Sequence, residues 1–225
     1  FISGTTLNHK PTVDNSDAKI QLSFKQRIQN RPLLWGAYFY LIYTQKSFWN
    51  IYKKSSPFAE TNYNPGLQLV KPVFKSDQFK GVFSFSIEHE SNGRDSIYSR
   101  SWNYLALNYT HFFSNKMHGS LKLIIPMERS DNPDLNKYIG YSEAQFSWNL
   151  KEDRLILDVV GMKAAAWNTK GNLMTTLSYR PSVKRNIYWT VQLWHGYSES
   201  LVNYTKSTSM LRIGFLVKPT FFRFY

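Results

Sequence analysis

The side chains with the most chemistry to offer are concentrated in one stretch. It runs His89-Glu90-Ser91-Asn92-Gly93-Arg94-Asp95-Ser96 and continues to Ser99-Arg100-Ser101-Trp102-Asn103. Serine is a weak nucleophile at its own pKa and needs a base to act. His89, two residues before Ser91, supplies an imidazole that can take the proton near neutral pH. The other ring nitrogen must then be held in one tautomer, and the side-chain oxygen of Asn103 can hold it. As a neutral partner it stabilises an imidazolium less than a carboxylate would. A tetrahedral oxyanion needs donors, and the Gly93 amide has no side chain to obstruct it. These residue types fit acyl transfer through serine. The same residues also make an ordinary polar loop between strands, so spacing alone leaves both readings open.

Positioning these groups requires strands. The chain alternates apolar and polar residues with a period of two. Ile20, Leu22 and Phe24 alternate with Gln21, Ser23 and Lys25, and Ala144, Phe146 and Trp148 with Gln145, Ser147 and Asn149. Similar runs cover 187–193 and 211–217. Phe83, Phe85 and Ile87 share their parity with His89 and Ser91. Leu105, Leu107 and Tyr109 share theirs with Asn103. The three polar groups are therefore expected on the apolar face, near one end of the strands. Polar groups on such a face are costly unless they bond to one another.

Turn signals separate the runs at Asn30-Arg31-Pro32, Asn64-Pro65-Gly66, Ser114-Asn115-Lys116, Lys151-Glu152-Asp153, Thr169-Lys170-Gly171-Asn172 and Arg180-Pro181-Ser182. A strand-plus-turn spacing of about eighteen residues predicts about twelve strands. We expect residues 1–225 to form a single domain, its first strand cut short at the N-terminus. The aromatic end, Phe221, Phe222, Phe224 and Tyr225, reads as a final strand or a tail, or as an assembly signal.

Composition narrows the class. The 225 residues contain no Cys, so disulfides and thiol chemistry are excluded. No run approaches ~18 unbroken apolar residues, which excludes a transmembrane helix. Aromatic residues make up 17% and the formal net charge is +13. A basic, aromatic chain suits nucleic-acid binding or an outer-membrane β-barrel. A soluble β-sandwich would share an aliphatic core between its inner faces. Here the apolar face is rich in Phe, Tyr and Trp near strand ends, and the other face in Gln, Asn, Ser and Thr. That pattern predicts an all-β, transmembrane antiparallel β-barrel. His9, His111, His118 and His195 receive no role. Leu193 and His195 share parity, but no serine stands beside His195 in the sequence.

At this point the sequence resembles the bacterial outer-membrane phospholipase A family, whose signature is His-x-Ser-Asn-Gly-Arg followed by Ser-Arg-Ser-Trp-Asn. Those positions are His89 to Arg94 and Ser99 to Asn103. Tyr43-Thr44-Gln45-Lys46-Ser47-Phe48-Trp49, Ser55-Ser56-Pro57-Phe58, Glu60-Thr61-Asn62-Tyr63, Asp131-Asn132-Pro133-Asp134 with Lys137-Tyr138-Ile139-Gly140-Tyr141, and Gly196-Tyr197-Ser198-Glu199-Ser200-Leu201 are similar to it as well. The resemblance implies a twelve-stranded barrel in the bacterial outer membrane, with its active site near the outer leaflet. It implies calcium-dependent hydrolysis of acyl ester bonds in phospholipids and lysophospholipids, activated by dimerisation. His89 is then the base, Ser91 the nucleophile and Asn103 the orienting group. The Gly93 amide lines an oxyanion hole assisted by calcium-bound water. Calcium is implied at the carbonyls of Arg94 and Ser96, at Ser99, and at Ser55 from the partner of the dimer. The family pattern carries Asp where Ser96 stands here, with Asp95 before it. Gln45 is implied as a polar contact across the dimer interface; a Gln lining the lumen is the alternative. No nucleic-acid partner is implied.

Two rivals remain at this level. A non-enzymatic, porin-like barrel would carry the polar stretch as a rim loop. A soluble nucleic-acid-binding β protein would need no detergent and would show salt-dependent DNA binding.

Overall fold

The computed structural model describes residues 1–151, 154–163 and 170–218. The alternating runs form twelve strands: β1 (Ile2–Thr6), β2 (Ser16–Arg27), β3 (Tyr38–Trp49), β4 (Phe58–Lys75), β5 (Gln78–Ser91), β6 (Ser101–Ser114), β7 (Met117–Glu128), β8 (Ser142–Lys151), β9 (Leu155–Lys163), β10 (Gly171–Tyr179), β11 (Ile187–Gly196) and β12 (Thr208–Val217). Each strand pairs antiparallel with its sequence neighbours, and β1 pairs with both β2 and β12, so the sheet closes on itself. Closure leaves no unpaired strand edge, the condition for crossing a bilayer with strands. Longer connections, such as 92–100 and 129–141, gather at the rim where β5 ends. The tight turns at 76–77 and 115–116 lie at the opposite rim.

The two faces segregate as the alternation demands. Phe83, Ile87, Leu123, Ile125, Trp189 and Ile213 are exposed on the outer wall, while Ser84, Ser86, Glu88 and Glu90 are buried inside. The lumen is more charged than its amides and hydroxyls suggest. Arg212, only 1% exposed, reaches Asp17 through Nε at 2.7 Å and Nη2 at 2.8 Å. It also pairs with Glu199, which Lys19 shares at 3.2 Å. Glu88 accepts hydrogen bonds from the Tyr104 hydroxyl at 2.8 Å and from Lys122 at 3.2 Å. Buried charges persist only when paired in this way. Above them, Trp102, Tyr104, Ala106, Ile124, Leu135, Ile139, Leu201 and Tyr204 form an apolar cluster under the long loops. Beside these groups an interior cavity of about 230 Å³ remains, lined by Lys19, Gln21, Thr44, Lys46 and Glu90 among others.

One expected turn is not a turn. Asn64-Pro65-Gly66 lies inside β4. Pro65 lacks an amide hydrogen, and it falls where the β4–β5 pairing lapses between Tyr63↔Ser91 and Gly66↔Glu88. The side chain of Asn64 fills the gap by donating to the His89 carbonyl at 3.0 Å. The expected turn at Thr169–Asn172 falls partly outside the described residues, and its Gly171 and Asn172 open β10. Glu152, Asp153 and the aromatic residues from Phe221 to Tyr225 also lie outside the described residues.

Candidate active site

Strands β5 and β6 pair in a register that sets His89 opposite Asn103 and Ser91 opposite Ser101. Residues 92–100 connect the two strands, and β6 resumes with the parity read from the sequence. His89 Nδ1 lies 2.8 Å from Asn103 Oδ1. An amide oxygen accepts only, so the imidazole carries its proton on Nδ1 and offers the lone pair of Nε2. Ser91 follows on the same outward face, two residues along the strand. The lumen side of the same segment is locked by Glu90, which accepts from Trp102 Nε1 at 3.0 Å, and by Tyr104 stacked on Trp102 at 4.1 Å. Trp102 is 1% exposed, so this anchor does not move freely behind the polar row.

The loop after Ser91 is organised by Asn92, whose part the sequence reading missed. Its backbone N–H donates to the Arg100 carbonyl at 3.0 Å, and Nδ2 donates to the Tyr98 carbonyl at 2.8 Å. Its Oδ1 accepts from the Arg94 and Arg100 amides at 3.2 and 3.1 Å. Gly93 sits in the middle of this staple at φ +63°, and a Cβ there would meet the Tyr63 ring at 3.1 Å. Glycine is required twice over, by conformation and by space. Among the described hydrogen bonds its amide donates to nothing.

Arg94, Ser96 and Ser99 stand in that same loop, with Ser96 held at φ +54°. Ser99 Oγ donates to Asp131 Oδ2 at 2.7 Å, and Ser101 Oγ to the same oxygen at 2.9 Å. These hydrogen bonds, from Ser99 first and then Ser101, hold the Asp131 carboxyl below its ordinary value. Asn132 Nδ2 donates to the Ser101 carbonyl at 2.7 Å and ties the 129–141 loop to the site. Ser55 is exposed at φ +67° on the β3–β4 connection, a separate rim loop. Arg94 reaches the start of β4, next to that loop, by donating to the Ala59 carbonyl.

Gln45 lies on the outer wall, not in the lumen. Its register partners are Leu22 and Tyr63, both exposed, while its neighbours Thr44 and Lys46 line the interior cavity. It accepts from the Tyr43 hydroxyl at 2.9 Å and donates to Ser47 Oγ at 3.3 Å. Gln45, Tyr63 and Ser91 occupy one register row across β3, β4 and β5. At ~4.8 Å per strand, Gln45 stands about 10 Å from the Ser91 backbone.

Two further features escaped the sequence reading. A register shift next to Asn103 skips Met127 and sets Glu128 opposite Asn103, on the outer face. The other is Ser209, which register brings opposite His195, with Nδ1···Oγ at 2.8 Å. The expectation that His195 has no serine partner is therefore corrected. The two residues are far apart in sequence, and only the β11–β12 pairing joins them. Among the described residues this pair has no third group like Asn103 and no following glycine like Gly93.

A closed barrel with an apolar outer wall and a polar interior is a transmembrane β-barrel. This one carries a polar histidine–asparagine–serine row on its outer wall. Residues 2–217 match the family model for phospholipase A1, and the chain belongs to that family. It is 32% identical over 228 residues to phospholipase A1 of Salmonella typhimurium, covering 96% of this chain and 75% of that protein. It is 29% identical over 230 residues to a putative phospholipase A1 of Neisseria meningitidis, covering 95% of this chain but only 58% of that relative. Among solved structures it is similar to a calcium-bound dimer of the Salmonella typhi outer membrane phospholipase. That match has a TM-score of 0.84 at 27% identity, covering 96% of this chain and 88% of that one. Outer membrane phospholipase A of Escherichia coli matches at TM-score 0.83 and 26% identity, covering 96% and 90%. These likenesses and the barrel assign the chain to the outer membrane.

Proposed function

We propose that this chain is a calcium-dependent interfacial serine hydrolase that cleaves acyl esters of phospholipids and lysophospholipids. The observation that carries this reading is the His89 Nδ1–Asn103 Oδ1 hydrogen bond on the lipid-facing wall, with Ser91 next along that face. His89 Nε2 takes the proton of Ser91 as Oγ attacks the ester carbonyl carbon. Asn103 fixes the ring so that only Nε2 can receive it. The negative oxygen that forms is met by the unpaired Gly93 amide. His89 then returns the proton to the departing alkoxide of the lysolipid. Water repeats the sequence on the acyl-serine, releasing the fatty acid and free Ser91. A site on the outer wall reaches its substrate without drawing it out of the bilayer.

The donors around the 93–100 loop fit calcium, because they are all oxygen and Ser99 already points at a carboxylate. The carbonyls of Arg94 and Ser96 with Ser99 Oγ would hold the ion, joined by Ser55 of a second copy. Bound there, calcium supplies positive charge beside the developing oxyanion. The exposure of Ser55 and the shared row of Gln45 and Ser91 support a dimer packed on β3, in which each site is completed by the other copy. In the bilayer, the rim with the long loops faces the outer leaflet. A porin-like role is disfavoured by the ion pairs and the aromatic cluster inside the lumen.

Two smaller effects follow. Asn103→Ala is expected to lower kcat/KM by roughly tenfold, because one hydrogen bond to a charged ring is lost. Asn103→Asp should recover activity, and a variant as inactive as one lacking His89 would contradict an orienting role. Gly93→Ala is expected to cost roughly 10²-fold in kcat by displacing the oxyanion donor. Both are checked by fatty-acid release from phospholipid–detergent micelles, with calcium and with chelator. Release that persists in chelator would remove the calcium assignment and leave the triad.

A further inference from the structure

The rim opposite the candidate site carries a charge imbalance that catalysis does not use. Of the chain's fifteen carboxylates, Asp77 and Asp158 are the only described ones in the half of the barrel with the tight turns. Asp158 is already paired with Lys218. Glu152 and Asp153 lie outside the described residues. Against them, Arg27, Arg31, Lys75, Lys184 and Arg185 are exposed, and no described ion pair involves any of them.

Two loops present these cations in a particular way. The β10–β11 loop is clamped from within by buried Arg180. Its Nε donates to the Arg185 carbonyl at 2.6 Å, and Nη2 donates to the Val183 carbonyl at 2.7 Å and to Asn186 Oδ1 at 3.0 Å. That clamp fixes Val183, Lys184 and Arg185 pointing outward. The β2–β3 connection carries Arg31 and then Leu34 and Trp35, which are 78% and 84% exposed. Trp35 is held at φ +62°, a left-handed conformation that is costly for a bulky residue. Two backbone hydrogen bonds close the turn, Leu33 N–H to the Ala37 carbonyl at 2.7 Å and Gly36 N–H to the Leu33 carbonyl at 3.1 Å, and leave the indole exposed. Tryptophan placed at a rim next to arginine is the arrangement that suits a membrane interface, with the ring at the acyl boundary and the cation among the headgroups.

We propose that this rim is a docking surface for anionic phospholipid headgroups in the leaflet opposite the candidate site. Arg31, Lys184 and Arg185 bind lipid phosphates, and Leu34 and Trp35 seat the β2–β3 loop in the acyl boundary. The collar holds the barrel at a fixed depth and so sets the height of Ser91 in the other leaflet. The surface would bind lipid whether or not Ser91 is a nucleophile.

The test uses the whole protein in nonionic detergent micelles. The probes are diether phosphatidylglycerol and diether phosphatidylcholine, neither of which has an ester to hydrolyse. Retained lipid is counted by native mass spectrometry. Each cation near an anionic surface is worth roughly fivefold in partitioning. The triple variant Arg31→Gln/Lys184→Gln/Arg185→Gln is therefore expected to lose phosphatidylglycerol retention by at least about tenfold. Lys10→Gln/Lys137→Gln/Lys206→Gln removes the same charge from the other rim and should stay within about twofold of the parent. The proposal is overturned if the two triple variants lose phosphatidylglycerol equally, or if the parent retains both lipids alike. Folding of every variant is verified by the electrophoretic shift between heated and unheated samples.

Discussion

Ser91→Ala is expected to reduce calcium-dependent fatty-acid release by at least about 10³-fold while leaving the barrel intact. The size of the effect follows from the role proposed for this side chain. Without Oγ there is no acyl-serine, and hydrolysis falls back on whatever the oxyanion donors and binding provide to water. Ser91 is half-buried at the end of β5 and its hydroxyl makes no hydrogen bond among those described, so loss of Oγ costs little stability. The structure supplies its own control in Ser209, which lies 2.8 Å from His195 Nδ1 on the same outer wall. Among the described residues that pair lacks a group to orient the ring, and no glycine follows the serine. Ser209→Ala should leave release within about twofold of the parent. Comparable losses in the two variants would mean that a histidine beside a serine is not what sets the rate.

The largest loss of stability is expected from Arg212→Met. Arg212 is wrapped by Asp17 and Glu199, and Lys19 approaches Glu199 from the other side. Removing the guanidinium leaves two carboxylates inside the lumen, of which Lys19 pairs with Glu199 alone among the described ion pairs. Breaking a buried network at one member costs about 3–5 kcal/mol, more than the pair contributes relative to apolar residues of the same shape. Urea unfolding in detergent micelles should show that loss in full for Arg212→Met. The combined variant Arg212→Met/Asp17→Asn/Glu199→Gln should recover much of it, because the stranded charges are gone. If the single variant unfolds at the urea concentration of the parent, the lumen network does not stabilise the barrel.

What the sequence made legible follows from distance along the chain. Alternation placed Phe83, Phe85, Ile87, His89 and Ser91 on one face, and the wall is built that way. Asn103 could be added because it starts the very next strand, so parity alone aligns it with His89. Parity does not extend across a bulge, and Glu128 reaches the outer face only because Met127 is skipped. Nor does it give the register of strands distant in sequence, which is why the Arg212–Asp17 pair and the His195–Ser209 pair were invisible. Asn64-Pro65-Gly66 misled for a different reason. Its residues favour a turn locally, but long pairing on both sides of β4 overrides them, and the one lapse is bridged by Asn64. Asn92 was hidden because its bonds all go to backbone atoms of a loop whose path the sequence does not fix. The calcium donors fall between these cases: Arg94, Ser96 and Ser99 share one loop, whereas Ser55 belongs to another.

The central claim is that Ser91 is an activated nucleophile on the lipid-facing wall. The most direct test is covalent: react the protein in calcium-containing micelles with a long-chain sulfonyl fluoride, which transfers its sulfonyl group to an activated serine and releases fluoride. The modified peptide is then mapped by mass spectrometry. The account predicts one sulfonyl group per chain on Ser91, formed in step with loss of fatty-acid release and greatly slowed by His89→Ala. Modification of Ser209 in place of Ser91, or full loss of release with Ser91 unmodified, would contradict it.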